Sequence, residues 1–423
     1  MEWRVGKLGG WRRVCEVLLL CAATAIVSGA QTFKTLVVFD GTNGSFPVAS
    51  LIRGTDGDLY GTTQDGGAGG PTEGTVFKIT PAGKLTTLHS FNGADGANPR
   101  AGMVQAVNGE LYGTTLQGGA NGWGTVFKIT PEGKLATLYS FCAQTNCTDG
   151  ANPGSGLIQV PNGDFYGTTG SGGTGEAGTV FKITPKGVLT TLHRFSGTDG
   201  NTPVAGLVRA TNGGFYGTTF WGGANGDGTV FKITASGVLT TLYSFCFQLK
   251  CADGANPSAG LTLATDGNFY GTTSGGVILG DNNGDGTVFK ITPGGKLATL
   301  HSFHVTDGAG PVGGLVQATN GNFYGTTPEG AGGLGSVFRL SVGLRPFVET
   351  LPSKGKVGAT VDILGTDLMG ATSVSFNGTA ATFKIVSKSE ITATVPPGAT
   401  TGKVTVRTPR RKLLSSIAFR VTK

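Results

Sequence analysis

Beyond its first thirty residues the chain holds no apolar run long enough to cross a bilayer as a helix. Charge is scarce as well: Asp, Glu, Lys and Arg make up only 13% of the 423 residues. The basic residues are dispersed one per repeat, so no nucleic-acid-binding patch is visible and nucleic acid is not an expected partner. No Ser-His-Asp set and no zinc motif emerges. Glycine runs such as Gly67-Ala68-Gly69-Gly70 lead into a strand, so they lack the helix N-terminus on which phosphate loops depend. Glutamates between the strands are few, mainly Glu73, Glu176 and Glu329. That leaves little for the paired carboxylates of glycoside hydrolysis, although such pairs need only proximity in space. Glycine, by contrast, is abundant at 76 residues. It has no three-residue period and returns at fixed turn positions between apolar strands, which points to an all-β fold and not to low complexity.

The strands belong to a repeat. The tetrapeptide YGTT starts at Tyr60, Tyr112, Tyr166, Tyr216, Tyr270 and Tyr324, at intervals of 50–54 residues, and such a period means stacked or circular units. Each unit reads as four strands. An AGLVQA-like strand (Ala101 to Ala106) is followed by an Asn-Gly or Asp-Gly turn such as Asn108-Gly109, the strongest short hairpin signal. YGTT is the second strand, GTVFKIT the third and LATLYSF or LTTLHSF the fourth. In the third strand Thr75, Phe77 and Ile79 point one way and Val76 the other. Strands apolar on both sides belong to covered sheets, and four-stranded sheets repeated about six times fit a six-bladed β-propeller. A β-solenoid is the alternative, with shorter repeats as a rule. Residues Phe33 to Phe39 match the fourth strand, which the sixth unit lacks. They are therefore expected to complete that blade beside Ser336 to Leu340 and close the ring.

In such blades the second-to-third loop and the blade-to-blade connection open on one face, where all the variable residues fall. Long loops gathered on a rigid scaffold are how binding surfaces are usually made. Trp123, Phe220 and Trp221 are the candidate ligand-binding residues there, as flat rings that stack on sugars; packing on a neighbouring blade is the other reading. Asp281, Asn283 and Asp285 match the start of a calcium loop, but position twelve is Thr292 where a bidentate Glu is needed. Calcium is the only cofactor suggested, and the same residues are ordinary loop chemistry. Cys142/Cys147 and Cys246/Cys251 share one C-x4-C spacing and one repeat position, which favours two small disulfide staples. His89, His193 and His301 share a slot with Tyr139, Tyr243 and Val37, so that slot reads as packing and not as metal binding. The six basic residues of GTVFKI could form a positive ring, or simply lay their stems along neighbouring blades. The repeated Asp and Asn of the connections (Asp95/Asn98, Asp149/Asn152, Asp253/Asn256) read as Asx-type turns.

Three segments follow. Residues 1–30 read as a signal peptide, with basic Arg4, Lys7, Arg12 and Arg13, an apolar Val17 to Val27, and a Ser28-Gly29-Ala30 cleavage site. Cleavage there removes four basic and two acidic residues and takes the net charge from +7 to +5. Residues 31–343 are the propeller. From residue 344 to 423 the repeat stops, and about seven short strands, Thr360 to Leu364, Ser373 to Phe376, Ala381 to Val386, Glu390 to Val395, Gly402 to Arg407 and Ile417 to Val421 the clearer ones, suit an immunoglobulin-like β-sandwich.

The order DGANP, YGTT, GG, GTVFKI, carried by residues 33–340, resembles the GloVer tandem repeat of exported bacterial proteins. That resemblance implies an extracellular repeat protein. Gly358 to Leu368, Val374 to Gly378, Ile391 to Gly398 and Gly402 to Val406 resemble an IPT/TIG domain, which implies a spacer or second binding module without catalytic residues. The reading that results is an exported, secreted, periplasmic or cell-surface binding or structural protein, more readily a non-enzyme than an enzyme. Extracellular polysaccharide or a surface protein is the expected partner. A secreted polysaccharide lyase or glycoside hydrolase on the same ring is the alternative.

Overall fold

The computed structural model describes residues 35–276, 285–330 and 334–422. The expected signal peptide lies outside the described residues. The repeat folds into six antiparallel sheets, the first five with four strands in chain order and the sixth with three. Sheet two shows the pattern: Val104–Gln105, Leu111–Thr115, Thr125–Ile129 and Leu135–Ser140. Its hairpin turn forms where Asn-Gly predicts it. Gly109 has φ +88°, and its N–H donates to the Ala106 carbonyl at 3.0 Å. The first strand is shorter than the sequence suggests, two residues instead of six. Its flanks pack backbone against backbone with the neighbouring sheets: a Cβ on Gly102 would sit 3.3 Å from the Ser50 carbonyl oxygen, and one on Gly156 3.3 Å from that of Gly102.

Each letter of YGTT has a physical task. Tyr112 stacks on Phe165 of the next sheet at 4.1 Å between ring centres, as Tyr166 does on Phe215 at 4.2 Å. Gly113 lies opposite Phe127, and any side chain on it would meet that ring at 2.6 Å. Thr114 Oγ1 donates to the Ser155 carbonyl of the next sheet at 2.9 Å. Thr115 Oγ1 bonds Thr125 Oγ1 at 2.9 Å, receives the Thr125 N–H at 3.1 Å and reaches the Gln117 carbonyl at 2.9 Å. The fourth-strand phenylalanine completes the interface: Phe141 meets Phe181 edge-on at 5.1 Å. Five apolar clusters of this kind join sheets one to two, two to three, and so on to six. Each fully buried Phe in them contributes about 1.5–3 kcal/mol. The architecture is all-β and β-propeller-like.

The expected closing strand is a point of difference. Residues 35–39 carry no strand, and no fourth strand pairs with Ser336–Leu340 among the described residues. No apolar cluster among the described residues joins sheet six to sheet one. Phe33 and Lys34, the start of the expected strand, lie outside the described residues. Phe39 nevertheless packs on Phe77 at 5.2 Å and 64°, much as Phe91 packs on Phe127 at 5.3 Å and 67°. It occupies the position of a phenylalanine ending the fourth strand of a preceding sheet.

Nine short strands follow from Val348, two more than expected. The expected strand Ala381 to Val386 divides into Thr379–Ala381 and Phe383–Ser387, and the last strand runs Lys412–Thr422, starting five residues before Ile417. Val361, Ile363, Phe376, Ile391, Val404, Val406 and Leu413 alternate into one core. This domain meets sheet six directly, where the Phe347 N–H donates to the Thr319 carbonyl at 2.9 Å and the Thr319 and Thr366 hydroxyls lie 3.0 Å apart.

Replacing Thr115 by Val keeps the shape and removes three hydrogen bonds at a buried site. The expected loss is about 1–3 kcal/mol, read as a lower urea midpoint, with Thr115→Ser retaining most of the wild-type value.

Candidate functional site

The blade-to-blade connections are held by repeated polar groups. Asp149, fully buried, accepts the Tyr139 hydroxyl at 2.7 Å and the Ala143 and Gln144 N–H groups at 2.9 and 3.2 Å. Burial pushes the Tyr139 phenol up, and the Asp149 carboxylate adds to the shift. Where the slot holds histidine, the ring nitrogen meets the matching aspartate: His89–Asp95 at 2.8 Å, His193–Asp199 at 2.8 Å and His301–Asp307 at 3.0 Å. The three histidines thus stand on separate sheets, each on its own carboxylate, which is a tie and not a metal centre. Asn152 takes φ +56°, which asparagine tolerates better than most residues. Its N–H donates to the Trp123 carbonyl at 2.9 Å and its side-chain amide to the Leu116 carbonyl at 3.0 Å.

This tie builds a cleft around Trp123. Thr72 and Glu73 come from the loop of sheet one, Gln117 and Trp123 from the loop of sheet two, and Asn152 from the next connection. The cleft measures about 590 Å³, and the Trp123 side chain is about half exposed at 47%. A flat ring beside a carboxylate and two amides can stack on an apolar face while its neighbours take hydroxyl hydrogen bonds. Phe220 and Trp221 lie elsewhere, on sheet four, with their rings edge-on at 4.8 Å. Trp221 is as exposed as Trp123, but the two do not share a cleft.

Cys142 is bonded to Cys147 and Cys246 to Cys251, as the spacing suggested. The second staple carries a feature the sequence reading passed over: Phe247 projects at 77% exposure beside a groove lined by Asn225, Thr241 and Tyr243. An apolar residue inside a six-residue C-x4-C loop has little room to fold inward, and that was the available signal. Glu73, Gln117 and Asn152 were missed because each is ordinary in its own repeat and only the packing of neighbouring sheets brings them to Trp123.

Three of the six basic residues of the ring are paired with carboxylates. Lys78 meets Asp58 at 3.4 Å, Lys128 Glu110 at 2.9 Å and Lys290 Asp266 at 3.1 Å. Asp281 and Asn283 lie outside the described residues. Asp285 uses its carbonyl to accept the Gly310 N–H at 2.8 Å, the same tie that Trp123 makes to Asn152. Among the described residues, the one group of three metal-capable side chains is Asp227 with Cys246 and Cys251, and those cysteines are joined in the disulfide. Burial, helped by the Asp253 carboxylate, pushes Asp227 up. Among the described residues no helix is long and apolar enough to cross a membrane.

Burial pushes Asp199 up, but the Ser196 N–H, His193 and the Ser196 hydroxyl outweigh it and hold the carboxyl below its ordinary value. A carboxyl depressed in the folded state stabilises above its unfolded value, near 3.9, and that stability is lost as pH falls through the folded value. Asp199→Asn should therefore lower the urea midpoint at neutral pH and flatten its decline on the acid side of about pH 4. An unchanged acid limb would show that the tie carries no stability.

No curated protein matches the chain. Among solved structures it is similar to a luciferin-regenerating enzyme, at 13% identity over 72% of this chain and 94% of that one, with a TM-score of 0.44. It is similar to a gluconolactonase from Xanthomonas campestris at 11% identity over 71% and 87%, TM-score 0.42. An auxiliary nutrient binding protein from Bacteroides thetaiotaomicron matches at 13% over 71% and 70%, TM-score 0.41. Likenesses at this level say nothing of what this chain binds or acts on. The family model for the Gloeobacter/Verrucomicrobia repeat matches residues 24–213, 69–277 and 204–381, and that for the IPT/TIG domain residues 347–420. Six sheets built from one repeat, and matches running from residue 24 to residue 381, place this chain in the Gloeobacter/Verrucomicrobia repeat family, with an IPT/TIG domain after the array.

Proposed function

We propose that the chain is an exported, non-catalytic binding protein whose loop face takes an extracellular polysaccharide. The observation that carries this reading is the Trp123 cleft, where a half-exposed indole is set among Glu73, Gln117 and Asn152 by two successive sheets. A sugar ring needs an apolar face to lie on and polar groups to receive its hydroxyls. Trp221, with Phe220 against it, and the projecting Phe247 supply further rings on the same end of the sheets. The two disulfides agree with an oxidising compartment, to which residues 1–30 would direct the chain. The IPT/TIG domain then acts as a spacer or second binder.

The test is a binding array of the full mature chain against diverse neutral and charged polysaccharides, with and without calcium, scoring both retention and released sugar. Retention on one glycan class without release is the expected outcome. Trp123→Ala should weaken it about tenfold, with Trp221→Ala as the second arm. Release of oligosaccharides would make the protein a lyase or hydrolase, and silence on every glycan would point to a surface protein as partner. Loss of binding on chelation would make a divalent cation part of the binding, and loss of that dependence in Asp281→Asn would assign it to the loop of Asp281, Asn283 and Asp285.

A further inference from the structure

Charge is divided unequally along the chain. Residues 31–343 hold 16 basic and 19 acidic residues, whereas residues 344–423 hold 12 basic and only 4 acidic ones. The even dispersal expected from the sequence holds through the repeats and fails after them. In the repeats, lysines of three third strands are neutralised by carboxylates of the neighbouring turns. In the C-terminal domain the one ion pair among the described residues is Arg411–Asp367 at 3.5 Å.

The surplus is concentrated at one end of the domain. Strand Gly402–Arg407 turns through Thr408, Pro409, Arg410 and Arg411 into strand Lys412–Thr422. The turn is closed by the Arg411 N–H donating to the Thr408 carbonyl. The register sets exposed Arg407 directly opposite exposed Lys412, and like charges facing each other across a ladder are destabilising. Beside this hairpin, the Leu368 N–H donates to the Lys388 carbonyl at 2.8 Å, which brings the turn carrying Lys388 against the loop of Asp367 and Met369. Between these three loops lies a cleft of about 280 Å³, lined by Lys388, Thr408, Pro409, Arg410 and Met369, and by the Asp367 carboxylate, which Arg411 neutralises at 3.5 Å.

We propose that this cleft binds carboxylate-bearing sugars of an acidic polysaccharide. Arg410 and Lys388 would receive the carboxylate, while Arg407 and Lys412 face the next charged units along the chain. A guanidinium fork matches a carboxylate in two hydrogen bonds, Thr408 offers a hydroxyl, and Met369 with Pro409 forms an apolar floor for a pyranose ring. The cleft lining contains no aromatic ring, so it lacks the stacking platform on which single-stranded nucleic acid relies. Met369 is its one large exposed apolar side chain, too little to seat the domain in a lipid interface.

The test measures affinity of the full mature chain for polygalacturonate at low salt. Lys388→Ala/Arg410→Ala should weaken binding about tenfold, as should capping the carboxylates by methyl esterification. Lys84→Ala/Lys134→Ala, which removes two exposed charges from the repeats, should stay within roughly twofold. Thermal unfolding of each variant confirms that these surface changes leave the fold intact. Absence of binding, equal losses in both double variants, or equal affinity for the esterified polymer would overturn the assignment. So would binding of duplex DNA or anionic phosphatidylglycerol vesicles as tight as that of polygalacturonate.

Discussion

A hydroxyl pair between the second and third strands recurs in every sheet, and the rest of the array hangs from it. Thr63–Thr75, Thr115–Thr125, Thr169–Thr179, Thr219–Thr229, Thr273–Thr287 and Thr327–Ser336 all lie 2.8–2.9 Å apart. They are buried or nearly so, in surroundings where an unpaired polar group is costly. By fixing the second strand against the third, the pair sets where the tyrosine and the other threonine of YGTT meet the next sheet. The glycine between them admits the phenylalanine ring behind. Intrasheet register and intersheet packing are therefore one constraint, which explains why four consecutive residues recur as a block.

Much of this was legible in the residues. The Asn-Gly turns, the four-strand unit and the C-x4-C pairings all follow from local chemistry that needs no partner. The two-residue first strands were not legible, because Ala101 to Ala106 has the composition of a longer strand. In the fold, the backbone at Gly102 runs close against the Ser50 carbonyl of the adjacent sheet. Lys412–Thr422 began early because polar residues ahead of Ile417 hide an alternation in which Leu413 and Ser415 are buried.

The site divides in the same way. Trp123 was visible as an unusual residue in a variable loop, whereas its cleft partners come from different repeats and acquire meaning only when sheets one, two and three stack. The cationic end of the C-terminal domain was visible in principle. Counting charge for the whole chain averages a near-neutral array with a strongly basic module, and counting by domain separates them.

The same hydroxyl pair spans loops of very unequal length: its members are 12 residues apart in sheet one, 10 in sheets two to four, 14 in sheet five and 9 in sheet six. Both ends of each loop are clamped to a common geometry, so the scaffold does not register what lies between. The array thus behaves as a rack of interchangeable sockets. Loops of different length and composition are carried between the same two anchored ends, those of the first five sheets each passing one backbone tie to the next connection. Variation in what the face recognises is thereby uncoupled from the requirement to fold.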